Sequence, residues 1–391
     1  MKYSILIVAI DCHFTHMTRF VCNLKRENPE VEIHYLTEKT RTDIPDDIAN
    51  NVDEIIHFKV SNGKGGYFGV FKKIVSLMKQ FKNLSRNNKY DIINVHFPHY
   101  YMAFTMRYLH KMTKNVVVSP WGSDVLRVDG LFFKILINGV FRKCDYITTI
   151  EDGNIRKKLL AYLPNSINKF RSMMWGSETI DYITHHIDET DMVVAKERFG
   201  LVGKYVITCG YNAFKAQNHD KIIDAIVQIK SQLPNNLKLL FPVSYGDQEK
   251  DRYVAELRER CQKEQLDALF VEEYMSVPDV FLLRLATDIF IHVQNTDAGC
   301  STVQEYILCY KKVVHGSWIH YQKLEAYPPL CFYPAADFSV LGDVVLDAYR
   351  SNGIKTAKEV FEYIRHNGWE ERRKEWNDMF EKIAKSSMSE R

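Results

Sequence analysis

The chain runs twice through the same alternation, in which a short run of β-branched and aromatic residues is followed by a longer amphipathic stretch. The first round places such runs at Ile5–Ile10, Val31–Leu36, Ile55–Phe58, Ile92–His96, Val116–Ser119 and Tyr146–Ile150. The second places them at Tyr205–Cys209, Leu237–Phe241, Leu269–Val271, Ile289–Val293 and Val313–His315, with helical patterns over Asp220–Gln232, Lys250–Glu264 and Pro278–Thr287 between them. Strands alternating with helices build βα units around a parallel sheet. Two rounds predict two doubly wound α/β domains, which a chain of 391 residues can supply with two separate cores. The polar stretch around His185, His186, Asp188, Glu189 and Asp191 marks the expected connection between them, 181–202. The expected domains are therefore 1–180 and 203–365. Residues 366–391 read as a charged terminal helix with Trp369, Trp376, Met379, Phe380 and Ile383 on one stripe, suited to docking back on the first domain.

Several functions are excluded by composition and motif. A formal net charge of +3 carries no argument for nucleic acid. Eight cysteines without a CxxC pair read as reduced thiols of a cytosolic protein, neither a disulfide frame nor a zinc site. No apolar run approaches the ~18 residues of a membrane span, so any membrane contact is expected to be peripheral. GxxxxGK[ST], HExxH and GxSxG are all absent from the sequence. The loop after the first strand, Asp11–His16, contains no glycine, which excludes a dinucleotide fingerprint there.

In parallel α/β sheets ligands gather beyond the carboxyl ends of the strands. Three such loops in the second domain carry chemistry. After Tyr205–Cys209 comes Gly210–His219, where Asn212, Lys215 and His219 are candidate contacts for an anionic donor and Lys215 with His219 could neutralise a diphosphate. After Leu237–Phe241 comes Pro242–Asp247, with Tyr245. After Ile289–Val293 comes Asp297-Ala298-Gly299-Cys300, leading into Ser301-Thr302-Val303-Gln304-Glu305. Ser301 with Gln304, and Thr302 with Glu305, have the spacing of overlapping capping boxes, so a helix should start there and offer its N–H groups around Gly299, Ser301 and Thr302 to a phosphate. A diphosphate between Lys215 and these amides would direct its sugar toward Asp297 and its ribose toward Glu305, and would need no metal to neutralise a departing nucleoside diphosphate. As the N3 member of a capping box, Glu305 would equally be explained without a ligand.

The first domain offers His13 and His16 after its first strand, which either touch an acceptor or merely pack. It also offers His96, read as core or site, and Trp121-Gly122-Ser123-Asp124, whose acid either caps a helix or faces the reacting centre. Gly63–Lys89 has seven basic residues and no acid, with Phe68, Phe71, Val75, Met78, Phe81 and Leu84 at helical spacing. It reads either as a helix packed on the sheet with a solvated lysine face or as a surface for anionic lipid.

With these residues in view, the chain resembles the GT-B nucleotide-sugar glycosyltransferases, two Rossmann-like domains facing across a cleft with a C-terminal crossover helix. It is most similar to the retaining family 4, whose acid, seven residues, Glu pattern is met by Asp297 and Glu305. The resemblance implies that Glu305 binds the donor ribose, Asp297 contacts the sugar, and Lys215 binds the diphosphate. On this reading His96 and Asp124 would face the reacting centre from the first domain, with His13, His16 and Trp121 on the acceptor side. The Trp121–Asp124 and Gly210–His219 segments are also similar to the lipid-linked fucosamine transferases. Two departures stand out: the glycine pair usual after the first strand is missing, and Trp121 stands where family 4 often carries a histidine. The implied activity is transfer of a sugar from a nucleotide donor to a lipid-linked or saccharide acceptor in surface polysaccharide assembly, with no metal or other cofactor and no nucleic acid partner. Such an enzyme would work in the cytoplasm, peripheral to the membrane. Two alternatives stay open at this point: a nucleotide-sugar 2-epimerase of the same fold, and a non-catalytic saccharide-binding protein.

Overall fold

The structure is a computed structural model that describes residues 1–10, 12, 14–40, 43–59, 66–128, 130–151, 153–297, 299–326, 331–351 and 357–388. His13, Lys64 and the side chain of Phe68 lie outside the described residues. The chain divides into two compact units, residues 1–175 with 371–391, and residues 176–370.

The first unit is built on a parallel sheet of seven strands: β1 (Ser4–Val8), β2 (Glu32–Thr37), β3 (Glu54–His57), β4 (Ile92–His96), β5 (Val116–Ser119), β6 (Tyr146–Thr149) and β7 (Phe170–Ser172). Their order is β3-β2-β1-β4-β5-β6-β7. From β1 the chain winds outward through β2 and β3, then returns to β4 on the other side, so the loops after β1 and β4 flank the point where the winding reverses. Three helices of this unit matter below: α1 (Phe14–Glu27), α2 (Gly66–Asn87) and α3 (Leu131–Lys143). β1, β4 and β5 are buried almost throughout, as a sheet covered on both faces requires.

The second unit repeats the plan with β8 (Tyr205–Cys209), β9 (Leu237–Pro242), β10 (Ala268–Val271), β11 (Ile289–His292), β12 (Lys312–Gly316) and β13 (Phe332–Ala335), in the order β10-β9-β8-β11-β12-β13 and all parallel. Its helices include α4 (Glu178–His186), α5 (Met192–Arg198), α6 (His219–Ile229), α7 (Val277–Ala286) and α8 (Ser301–Leu308). Two apolar clusters flank this sheet, one containing Ile207, Phe241 and Ile291, the other Val206, Leu240 and Phe290, as alternating side chains along each strand dictate.

The seam differs from the expected 181–202 connection. That stretch forms α4 and α5, both in the second unit, with Ser177 and Asp191 accepting the capping bonds of Ile180 and Val193. Polarity there came from two short helices showing a solvent face. The terminal helix α9 (Trp369–Met388) starts in the second unit and runs its body along the first. There Trp376 is buried with its ring 5.0 Å from Phe20 and its indole N–H donating to the Met174 carbonyl at 3.1 Å. Glu381 meets the N-terminal ammonium at 2.9 Å. Of the apolar stripe of α2, Phe71 and Val75 are exposed while Phe81 is buried, together with Leu77 beside the stripe.

Candidate functional site

In the second unit the winding reverses between β8 and β11, and the loops that leave these strands are bonded together. The Asn295 N–H donates to the Ala216 carbonyl at 3.0 Å, and Gln217 Nε2 donates to Gln294 Oε1 at 2.9 Å. Asn218, in the left-handed conformation at φ 58°, donates to the Val293 carbonyl at 2.7 Å. The loop after β9 joins them through the Tyr245 carbonyl, which accepts from the Ala213 N–H at 2.8 Å. Tyr245 is exposed, and its hydroxyl lies 3.5 Å from Asn212 Nδ2; the Asn212 side-chain oxygen accepts from the Phe214 N–H at 3.0 Å. Asn212, Lys215 and Tyr245 are thus brought to one place.

Lys215 stands half-exposed, with Nζ 3.2 Å from Glu249. His219, expected beside it on the diphosphate, is fully buried. Its Nδ1 meets the Tyr253 hydroxyl at 3.1 Å, and its Nε2 lies where a Cβ on Gly210, at φ 63°, would come within 2.7 Å. Burial pushes its pKa down to about 4. A neutral imidazole under the Gly210 turn supports the loop and adds no charge to it.

The segment after β11 departs from expectation in how its acids are used. Asp297 is buried. Its Oδ2 accepts from His292 Nε2 at 3.0 Å and from the Tyr321 hydroxyl, and its Oδ1 accepts from the Gly299 N–H at 3.0 Å. Burial opposes its ionisation, but these donors outweigh burial and hold the carboxyl below its ordinary pKa. In the structure the side chain ties the turn in which Gly299 adopts φ 103°. Only glycine enters that region without strain.

Neither capping box forms. α8 begins after Cys300 with no side chain capping it. Gln304 accepts from Asn367 Nδ2 at 2.5 Å. Glu305 accepts from the Ser177 hydroxyl at 3.2 Å and from Arg284 Nε at 3.1 Å, while Arg284 also donates to the Tyr306 hydroxyl at 3.2 Å. Arg284 and Glu305 are both buried. Ser301 and Thr302 open the helix, where the first-turn N–H groups lack intrahelical acceptors and the dipole is positive.

Arg284, Ser177, His292 and Tyr321 were not foreseen. Arg284 had a signal: it is the lone cation on the otherwise apolar run Val280–Ala286, and a buried arginine requires a carboxylate.

In the first unit the reversal lies between β1 and β4. His96, at the end of β4, is buried, and neither ring nitrogen has a hydrogen-bond partner among the described residues. Its ring lies 4.6 Å from Phe20 and 5.4 Å from Trp175, and burial pushes its pKa down to about 3. His16, exposed on α1, meets the edge of Trp121 at 5.2 Å and that of Trp175 at 6.2 Å. Asp124 accepts from the N–H groups of Trp121 at 3.0 Å and Gly122 at 2.7 Å. Burial raises its pKa to about 7 against the pull of those N–H groups. His16, His96 and Trp121 therefore gather in one aromatic cluster, while Asp124 shapes the turn that holds Trp121.

Two all-parallel, doubly wound units with this strand order, followed by a terminal helix on the first unit, are the architecture of the GT-B fold. Residues 5–151, within the first unit, match the family model described as "Glycosyl transferase 4-like". Among solved structures, sucrose-phosphate synthase from Thermosynechococcus elongatus is similar at TM-score 0.72 and 11% identity, over 98% of this chain and 100% of that one. HepE from Anabaena, in complex with UDP and glucose, is similar at TM-score 0.65 and 11% identity, over 99% of this chain and 98% of that one. WaaG, a glycosyltransferase involved in lipopolysaccharide biosynthesis, is similar at TM-score 0.62 and 13% identity, over 97% of this chain and 98% of that one. At these identities the likeness is one of fold. No curated protein sequence matches the chain.

Proposed function

We propose that the protein transfers a sugar from a nucleoside diphosphate donor to a lipid-linked or saccharide acceptor in surface polysaccharide assembly, metal-independently and with retention of anomeric configuration. The reading rests on one observation: Lys215, Asn212 and Tyr245 and the start of α8 share the winding reversal between β8 and β11, where parallel sheets bind ligands. A diphosphate there would face a lysine and the positive end of a helix. As the bond from the anomeric carbon to the diphosphate breaks, its electron pair goes to the leaving oxygen, and Lys215 with the first-turn N–H groups neutralises it. The acceptor hydroxyl forms the new bond on the same face and gives its proton to that leaving oxygen.

In this reading Asp297 and His219 are positioning residues, one holding the Gly299 turn and the other the Gly210 turn. Glu305 meets the ribose by exchanging a protein donor for it. The acceptor is placed at the reversal between β1 and β4, with His16, His96 and Trp121. HepE, whose structure holds UDP and glucose, supports the donor class, and WaaG supports the polysaccharide setting.

The test combines a thermal-shift screen against UDP, GDP, TDP and ADP with Lys215→Ala. One diphosphate should raise the melting temperature of the native chain, and Lys215→Ala should abolish that shift while its own unliganded melting curve is unchanged. Lack of response to all four nucleotides, or an undiminished shift in the variant, overturns the reading.

A further inference from the structure

The first unit carries an exposed apolar and basic surface that the transfer site does not use. On α2, Phe71, Val75, Lys79, Lys82 and Arg86 are all exposed. At roughly 100° per residue they fall within about a quarter of the helix circumference. On α3, Leu131 is 76% exposed, Ile135 60% and Phe132 56%. Large apolar side chains this open are unusual on a water-facing surface when they occur together.

The two helices flank one 3₁₀ turn, Tyr100–Phe104. Phe133 of α3 packs on Tyr100 at 4.8 Å between ring centroids, and Lys73 of α2 sits 4.6 Å over the ring of Tyr101. The apolar starts of both helices therefore converge on neighbouring residues, while the basic length of α2 extends away from them. Neither helix contains an aspartate or a glutamate. Two copies of such a face would repel one another, whereas an anionic sheet of headgroups complements it.

We propose that α2 and α3 together seat this unit on an anionic lipid bilayer. Leu131, Phe132 and Ile135 enter the boundary between headgroups and acyl chains, with Phe71 and Val75 beside them. Lys79, Lys82 and Arg86 lie against the phosphates. The proposal deepens the proposed function by placing the protein where a lipid-linked acceptor resides, and it rests on that reading only for the identity of the acceptor.

The test is sedimentation of the full chain with two kinds of vesicle, one of phosphatidylcholine alone and one containing one-third phosphatidylglycerol. Binding is expected to the anionic vesicles only and to weaken with added salt. Lys79→Gln/Lys82→Gln/Arg86→Gln should reduce the partition coefficient about a hundredfold, at about 1 kcal/mol for each of the basic charges removed. Leu131→Ser/Phe132→Ser/Ile135→Ser should reduce it at least as far, since exposed positions leave the core intact. Nucleotide-induced thermal shifts of both variants should match the parent, so failure of the donor reading and failure of this one are separately visible. Equal binding to both vesicles, binding to neither, undiminished binding by either variant, or a dimer in solution that the serine variant dissolves would each overturn the proposal.

Discussion

The buried pair between Arg284 and Glu305 permits a quantitative test of how α8 is held. Nε and Oε2 are 3.1 Å apart, and both side chains are more than nine-tenths buried. At an effective dielectric constant of about 20, opposite charges at this distance attract by about 5 kcal/mol. Desolvation removes much of that, so the pair's net worth is small while the loss of one partner is large. Arg284→Met leaves a buried carboxylate held by Ser177 alone, and should lower the local stability of α7 and α8 by about 3–5 kcal/mol. Glu305→Gln keeps an acceptor for Ser177 but strands the guanidinium, at similar cost. The double variant Arg284→Met/Glu305→Gln buries no unpaired charge and should lose only about 2 kcal/mol, a coupling of several kcal/mol. Native-state hydrogen exchange resolved to peptides of α7 and α8 is the suitable assay, because a chain of two units need not unfold in one step. Strictly additive losses, or a loss below about 1 kcal/mol for Arg284→Met, would show that the pair does not anchor the helix.

Two further outcomes follow from particular side chains. Lys215 rests on Glu249 in the structure, so Glu249→Gln should release it and strengthen diphosphate binding about two- to fivefold by calorimetry; weaker binding would remove Lys215 from the site. His96 has its pKa depressed to about 3, so between that value and the ordinary histidine range the unfolded chain binds more protons than the folded one. Its contribution is complete above that range and is lost as pH falls: from pH 7 to 5 the first unit should lose about 2 kcal/mol, and His96→Leu should remove that part of the slope in urea denaturation at the two pH values.

Much of the fold was legible because buried parallel strands are short, uniform runs of apolar residues. Tyr205–Cys209, Ile92–His96 and Val116–Ser119 coincide with β8, β4 and β5. β7 and β13 escaped because Phe170–Ser172 is a three-residue edge strand and Phe332–Ala335 carries a proline, so neither shows a periodicity that could be counted. In the site, the loops that bring Asn212, Lys215 and Tyr245 together follow from topology and were foreseen. The partners of the two acids were not. His292 lies five residues before Asp297 and Tyr321 twenty-four after it; Ser177 and Arg284 lie 128 and 21 residues before Glu305. Spacing shows where an acid stands but not which distant donors have claimed its oxygens. The two readings of the α2 stripe stayed open for a related reason: spacing shows where Phe71, Val75 and Phe81 stand on the helix, and only the neighbours decide which of them is covered.

Asp297 reaches three donors on three different parts of its unit, and so, on the proposed donor reading, the Gly299 turn is settled before any nucleotide arrives. The freedom of that segment is surrendered once, when the chain folds, and little of it is left to lose on each encounter with substrate. Changes at His292 or Tyr321, neither of which needs to touch the donor, would then surface as a larger entropic penalty of association and not as a missing contact. Affinity at this site can drift through residues that never meet the ligand.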